Sequence, residues 1–453
     1  MAIAAVLVIL HFGRPFDYIL PGRHIPAAIC LIALFAGVLG GGLRVLRTPI
    51  GMAFLVMMAL MVLVTPFSTW KGGSARYVVR YSFYVFSFLL PVAAAPRSLK
   101  DLKLLFTCAV LAPLVMLILV GDPEGSAALS KWRGGETSGR MELEGGTFAN
   151  AADVAMTSGF IIPFWLFGCF HLNIPLVRFP LALFGVAYLV RAILLSGTRA
   201  GLVAGVCMFL VYFGWAKAPT RLVLVLCACL AVLTVPPLLP QHLRTRFGTL
   251  FSYFSGEALE NPHSEAGQSA LERKSLLIDS LRYTLLRPLT GVGPGQFADH
   301  RWQEGREEGV RKSYLVTHNM YTQISSEAGI PAMIAFIAVF WGVIRTARTI
   351  RRASLLATSE EARLAGAMAG CLLASTVYYC VCGMFMSLVQ YVHPVLLGSL
   401  AIALERTSRL ALAPAAREAE HGAGETAFSI AGTRARPWSP VLNRNRRTAP
   451  YSR

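Results

Sequence analysis

Charge is what this 453-residue chain has least of. Asp, Glu, Lys and Arg together make 15% of it against 55% hydrophobic residues, and its mean hydropathy is +0.56. A soluble globular domain carries about a quarter charged residues, so that class is excluded. Cysteine is missing from every polar segment. All nine (Cys30, Cys108, Cys169, Cys207, Cys227, Cys229, Cys371, Cys380 and Cys382) fall inside apolar stretches, which excludes a disulfide framework. The two C-x-C pairs place their thiols on different helical faces with no His or carboxylate beside them, which argues against a metal site. There is no internal period of repeat-protein length and no inverted repeat.

What is present is hydrocarbon in span-length pieces. Apolar stretches long enough to cross a roughly 30 Å core recur about twelve times. They lie at 3–20, 25–43, 50–66, 77–95, 102–120, 152–170, 177–196, 200–216, 221–239, 322–344, 364–384 and 388–405. The first carries His11, Arg14 and Asp17, has no charged leader region and no A-x-A-like cleavage site, and reads as a short or re-entrant helix, not a signal peptide. Arg44 and Arg47, then Arg97, Lys100 and Lys103, then Arg178, then Lys217 and Arg221, then Arg345, Arg348, Arg351, Arg352 and Arg363 fall in alternate loops, which are therefore expected on the cytoplasmic side.

The expected organisation is an all-α polytopic membrane protein with both termini inside. Residues 1–239 hold nine spans with an outer loop at 121–151. A large, partly helical outer loop follows at 240–321, then three spans within 322–405 and a basic, disordered tail at 406–453. The formal net charge of +18 is accounted for by the inner loops and this tail next to an anionic leaflet; nucleic-acid binding is not needed.

Polar residues that topology does not explain are the candidates for chemistry. In 269–288, Leu271, Ser275, Ile278, Leu281 and Leu285 share one helical face opposite Glu272, Arg273, Asp279 and Arg282, an amphipathic helix for the membrane surface or the top of the bundle. TGVGPGQF (290–297) lacks the context of a nucleotide loop and reads as a turn or, through clustered amides, as an anion receiver. His318 opens the tenth span with Asn319, Tyr321 and Gln323 close behind. Thr317 is a possible N-cap, and His318 is either a structural or a reactive group. Arg199 at the outer end of the eighth span, Arg191 deeper in the seventh, and Arg76 and Arg80 at the outer end of the fourth go against the orientation rule. Snorkelling is the plain account of Arg199. A membrane-embedded ligand carrying a diphosphate accounts for the whole set, because guanidinium groups suit bidentate phosphate contacts. Gly201 and Gly205 give the eighth span a close-packing face.

The order of these motifs resembles the O-antigen ligase and Wzy-type polysaccharide polymerase family. SGTRAG stands at a span start, an arginine opens an amphipathic helix, PLTGVGPGQF follows, and HNMYTQ precedes EAGI; GRMELEGGTFANAADVA (139–155) also looks like a family segment. The resemblance covers roughly residues 30 to 405. It implies a C-type-like membrane glycosyltransferase acting on an undecaprenyl-diphosphate-linked glycan at the periplasmic face of the bacterial inner membrane. By motif position it implies Arg199 and Arg273 on the donor diphosphate and His318 activating the acceptor hydroxyl. Arg191, Arg80, Arg282, Asn319, Tyr321 and Gln323 are secondary candidates. Ala151-Ala152 stand where the family commonly has Pro-Asn, so no role is carried over to Asn150 or Asp153. The chain has no Asp-x-Asp motif, and neither metal nor cofactor is expected. The acceptor is left open by these motifs: a lipid A core for a ligase, a lipid-linked repeat for a polymerase, or a protein hydroxyl. A transporter of lipid-linked glycan would instead want midplane ionisable residues and internal symmetry.

Overall fold

The computed structural model describes residues 1–13, 25–120, 150–171, 174–216, 218–238 and 265–409, with 244, 247, 411 and 412 as isolated positions. Arg14, Asp17, residues 139–149 of the family-like segment, most of 239–264 and the tail beyond 412 lie outside the described residues. Every regular element among the described residues is helical. In chain order they are α1 (Ala2–Phe12), α2 (Ile25–Leu39), α3 (Pro49–Val64), α4 (Lys71–Ala94), α5 (Leu99–Val120), α6 (Ala151–Phe170), α7 (Pro175–Leu195), α8 (Arg199–Trp215), α9 (Ala218–Leu238), α10 (Glu265–Leu286), α11 (Phe297–Glu307), α12 (Met320–Leu356) and α13 (Glu360–Cys382), with α14 over 392–409. A helix thus lies over each of the twelve expected spans. Seven of the described helices are long and apolar enough to cross a membrane, while α1, α2 and α8 are shorter. The protein is an all-α multi-pass membrane protein; that all twelve helices cross is our proposal.

Several helix starts are fixed by side chains that take up the orphaned first-turn amides. Thr48 Oγ1 accepts from Gly51 N at 3.1 Å ahead of Pro49. Asn150 Oδ1 accepts from Ala152 N and Asp153 N, so Asn150 is the N-cap of α6. Ser359 Oγ accepts from Ala362 N, with Glu360 and Glu361 complementing the dipole of α13.

The centre of the bundle is α13. Its Ser375 Oγ donates to Phe160 O, and Tyr378 OH donates to Ala155 O, which sets α6 antiparallel to it. Gly201 of α8 lies by Tyr378, and Trp215 at the other end of α8 lies by Gly370. At Gly201 a β-carbon would come 3.0 Å from Ala155, as a close-packing position requires. Gly205 has no described atom within 4 Å of that point, so only the first of the two glycines serves the expected contact. The N-terminal ends of α6 and α8 therefore meet the C-terminal end of α13. At the opposite end Arg406 Nη2 donates to Ala94 O and Pro96 O, Lys103 Nζ donates to His171 O at 2.9 Å, and Arg351 lies over the Trp215 ring at 3.8 Å. The cations of the expected cytoplasmic loops gather there.

Helix α12 is where the expected span 322–344 changes most. It runs antiparallel to α13, with Met320 against Gly383 and Ser354 against Gly366. Straight, Met320 to Ser354 would measure about 51 Å, whereas Gly366 to Gly383 covers about 26 Å. The mismatch is resolved at Gly329, whose φ of 86° and ψ of 169° are non-helical. The segment before it turns across the end of the bundle. A break of this kind strips backbone groups of their helical partners, and lipid cannot replace them. The polar loop at 288–293 does: Val292 N donates to Ser326 O at 2.8 Å, Gly293 N to Glu327 O at 2.9 Å, and Ile330 N to Pro288 O at 2.7 Å. Pro331, one residue into the new helix, has no amide to satisfy.

Gly329 occupies backbone space reserved for glycine, and a β-carbon there would fall 2.5 Å from the Leu289 carbonyl carbon. Gly329→Ala is expected to cost more than the ~1–3 kcal/mol of the backbone conformation alone. Gly205→Ala, which meets nothing described, is expected to leave stability unchanged. Thermal unfolding of the detergent-purified variants checks both.

Candidate functional site

His318 lies one residue before the N-cap of α12, outside the helix. Its φ of 53° makes it the one non-glycine residue with positive φ among the described residues. This conformation is costly enough to need external support. That support comes from the connector between α13 and α14: Ser387 Oγ accepts from His318 N at 3.0 Å and shares a 3.1 Å hydrogen bond with Thr317 Oγ1. Tyrosine hydroxyls hold the connector in turn. Tyr379 OH donates to Leu388 O at 2.7 Å and Tyr81 OH to Val389 O at 2.5 Å. Tyr391 OH donates to Asp153 Oδ1 at 2.7 Å, which ties the site to the start of α6.

The N-cap of α12 is Asn319, not Thr317. Asn319 Oδ1 accepts from Tyr321 N at 2.9 Å and Thr322 N at 3.1 Å, while its Nδ2 donates to Met384 O. Thr317 cannot cap because the helix starts at Met320; its hydroxyl donates to Asn319 O instead. Tyr321 OH donates to Cys380 O at 3.0 Å. Ser325 Oγ, one turn further on, pairs with Thr284 Oγ1 of α10 at 2.8 Å. Gln323 is buried, with Oε1 lacking a hydrogen-bond partner among the described residues.

Helix α10 brings the second group. Burial holds the His318 imidazole below the usual 6.5, the neighbouring Arg273 guanidinium lowers it further, and Glu272 opposes. Arg273 and His318 are thus close enough for their charges to interact, and the net effect favours a neutral ring. Arg282, by contrast, is committed to an ion pair with Glu304. Glu304 also accepts from Tyr283 OH at 2.5 Å and Lys312 Nζ at 2.9 Å. Burial alone would raise its carboxyl, but these hydrogen bonds and charges hold it below the carboxylate range. Buried Arg301 binds Asp279, Ser275 and Ser313 together. These bonds fasten α10 and α11 into one layer.

The glycine loop does receive an acid, and the acid is the chain's own. Gly295 N donates to Glu327 Oε2 at 2.9 Å, and the Phe297 amide faces the same buried carboxylate. Glu327 therefore fills the N-terminus of α11, where amides and helix dipole favour negative charge. A β-carbon on Gly293 would fall 1.9 Å from Ser68 Oγ, and Thr69 N and Oγ1 both donate to Val292 O. Sequence reading did not foresee this seat, although a buried acid in an apolar run is itself a signal. Ser387 carried no such signal.

Arg199 is the first residue of α8, at the bundle end where α6 and α13 meet and where His318 sits. Arg191 is exposed on α7 and Arg80 on α4; neither is brought to His318 by any described contact. Among the described residues no three His, Cys, Asp or Glu side chains gather in a metal-binding group.

A multi-pass helical membrane protein with a strained histidine beside an arginine at one end of its bundle has the makings of a membrane enzyme. Residues 184–337 match the family model described as O-antigen ligase. That match agrees with the resemblance of the chain's motifs. The matched stretch contains Arg191, Arg199, Arg273, Arg282, His318, Asn319, Tyr321 and Gln323 and ends just after the break in α12. No curated protein matches the chain.

The electrostatics of the pair can be read by titrating His318 with ring-labelled NMR. Arg273→Gln is expected to raise its pKa and Glu272→Gln to lower it, since the first removes a like charge and the second an opposite one. A His318 titration indifferent to both would refute the juxtaposition.

Proposed function

We propose that the protein is a membrane glycosyltransferase. It transfers a glycan from an undecaprenyl-diphosphate-linked donor to an acceptor hydroxyl at the periplasmic face of the bacterial inner membrane, in the manner of an O-antigen ligase. The reading is supported by the electrostatic influence of Arg273 on the strained His318, both within the stretch that matches the O-antigen ligase family model. The neutral imidazole accepts the proton of the acceptor hydroxyl as its oxygen attacks the anomeric carbon. The bond from that carbon to the diphosphate breaks on the opposite face, which inverts the centre. Polyprenyl diphosphate leaves with its charge met by Arg273 and Arg199. The arginines supply the positive charge a divalent ion would otherwise bring, so the reaction needs no metal.

The site's architecture suits this chemistry. Burial, aided by Arg273, lowers the histidine pKa and favours the neutral ring, and the same arginine would meet the charge of the leaving group. His318→Ala is expected to reduce the transfer rate by about 10²- to 10⁴-fold, the range of a general base, in a protein that still purifies folded. EDTA is expected to change nothing. Purified protein, a lipid-linked oligosaccharide donor and gel analysis of the product test both, and activity lost in EDTA and restored by magnesium would overturn the mechanism.

A further inference from the structure

Helix α10 leaves the apolar face of the sequence reading turned outward. It turns Leu276, Ser280, Tyr283 and Thr284 to the protein, through Thr284 against Ser325 of α12 and Tyr283 against Phe297 of α11. The richer face stays outside: Ile278 is 53% exposed, Leu281 45% and Leu285 77%. Arg273, Leu277, Leu281 and Leu285 recur every four residues, which stacks them in one inclined ridge that winds from the polar side onto the apolar face. Leu289, just past the helix end, is also exposed. The ridge is ~18 Å long from Arg273 to Leu285. It starts at the arginine that acts on His318, and no acidic residue occupies any of its positions.

We propose that this ridge binds the polyisoprenoid tail of a lipid diphosphate, with Arg273 at the diphosphate and Leu277, Leu281, Leu285 and Leu289 along the first isoprene units. The assignment rests on the proposed function and adds the path of the donor's lipid. Charge complementarity selects the occupant. The ridge is led by a single cation and followed only by hydrocarbon, which matches an anionic head on one long apolar chain. The other flank of α10 is already taken up by α11 and α12. A tail laid on the ridge also fixes where the sugar must sit, because the diphosphate that joins them is then beside His318.

The test replaces Leu277, Leu281 or Leu285 by photoreactive benzoylphenylalanine, with Leu183 and Phe184 on α7, 73% and 72% exposed, as lipid-facing references. Full-length protein in phosphatidylglycerol nanodiscs is given sugar-free undecaprenyl diphosphate and irradiated, and the adducts are weighed by mass spectrometry. The expected result is undecaprenyl diphosphate on the three ridge positions and phosphatidylglycerol on the two references, with ridge labelling several-fold weaker in an Arg273→Ala background. Phosphatidylglycerol alone on the ridge, in protein that still transfers glycan from a lipid-linked donor, overturns the tail path and leaves the proposed function standing. Undecaprenyl diphosphate on α7 and not on α10 overturns it equally.

Discussion

The hydrogen bonds between residues 326–330 and the loop at 288–293 are the constraint on which the rest of the outer layer depends. A helix that breaks at the edge of a membrane must find partners for the groups it frees, because neither lipid nor a neighbouring side chain supplies backbone geometry. Here one stretch of loop backbone bonds Ser326 O, Glu327 O and Ile330 N, and it comes so close because Gly291 carries positive φ and no β-carbon, which would fall 2.4 Å from the Glu327 carbonyl carbon, while Gly293 and Gly295 give the same closeness to Ser68 and Tyr77. The clasp is therefore mutual. Without the glycine loop α12 could not turn at Gly329, and without the turn the loop would have no acceptors for its amides.

From that clasp the placement of the chemistry follows. Because α12 turns, its first segment lies across the bundle end and carries Asn319 and His318 to the connector at 383–391. Because the loop is anchored, α10 and α11 are anchored with it, and Arg273 arrives beside His318 on a helix whose own layer is fastened by Arg301 and Glu304. Glu327 closes the arrangement, a buried carboxyl group that accepts from the amide of Gly295 at the start of α11. Its burial is tolerable because that donor replaces the water it has lost.

Spans were legible in the sequence because length and hydropathy alone define a crossing candidate, and so were the cationic loops, which do gather at one end. Arg273 and His318 were legible as ordered motifs. The break at Gly329 was not: Gly-Ile-Pro reads as a tolerable kink in a membrane helix, and only the antiparallel match to α13 shows how far the chain must turn. Asn319 was overlooked as a cap because Thr317 is as good a capping residue, and local propensity cannot say where the first helical residue falls. The apolar stripe of α10 was legible by periodicity, and it faces outward as a membrane-surface helix would have it; the inner contact through Leu276, Ser280, Tyr283 and Thr284 was not, because it rests on hydrogen bonds and aromatic packing that periodicity does not weigh.

The support of His318 has a further consequence for how the site is held. Its left-handed backbone depends on Ser387, a residue about seventy positions away on another crossing, and the connector that carries Ser387 depends on hydroxyls from α4 and α13 and on Asp153 of α6. Arg273 reaches the same point from the loop side through an independent set of bonds. The two halves of the proposed reaction, deprotonation of the acceptor and neutralisation of the leaving diphosphate, are thus mounted on separate supports that meet at α12 and at α4, where Tyr81 holds the connector and Ser74 the glycine loop. A perturbation of the connector should displace the imidazole while leaving the arginine in place, and a perturbation of the glycine clasp should move both, since the clasp sets the position of α12 itself.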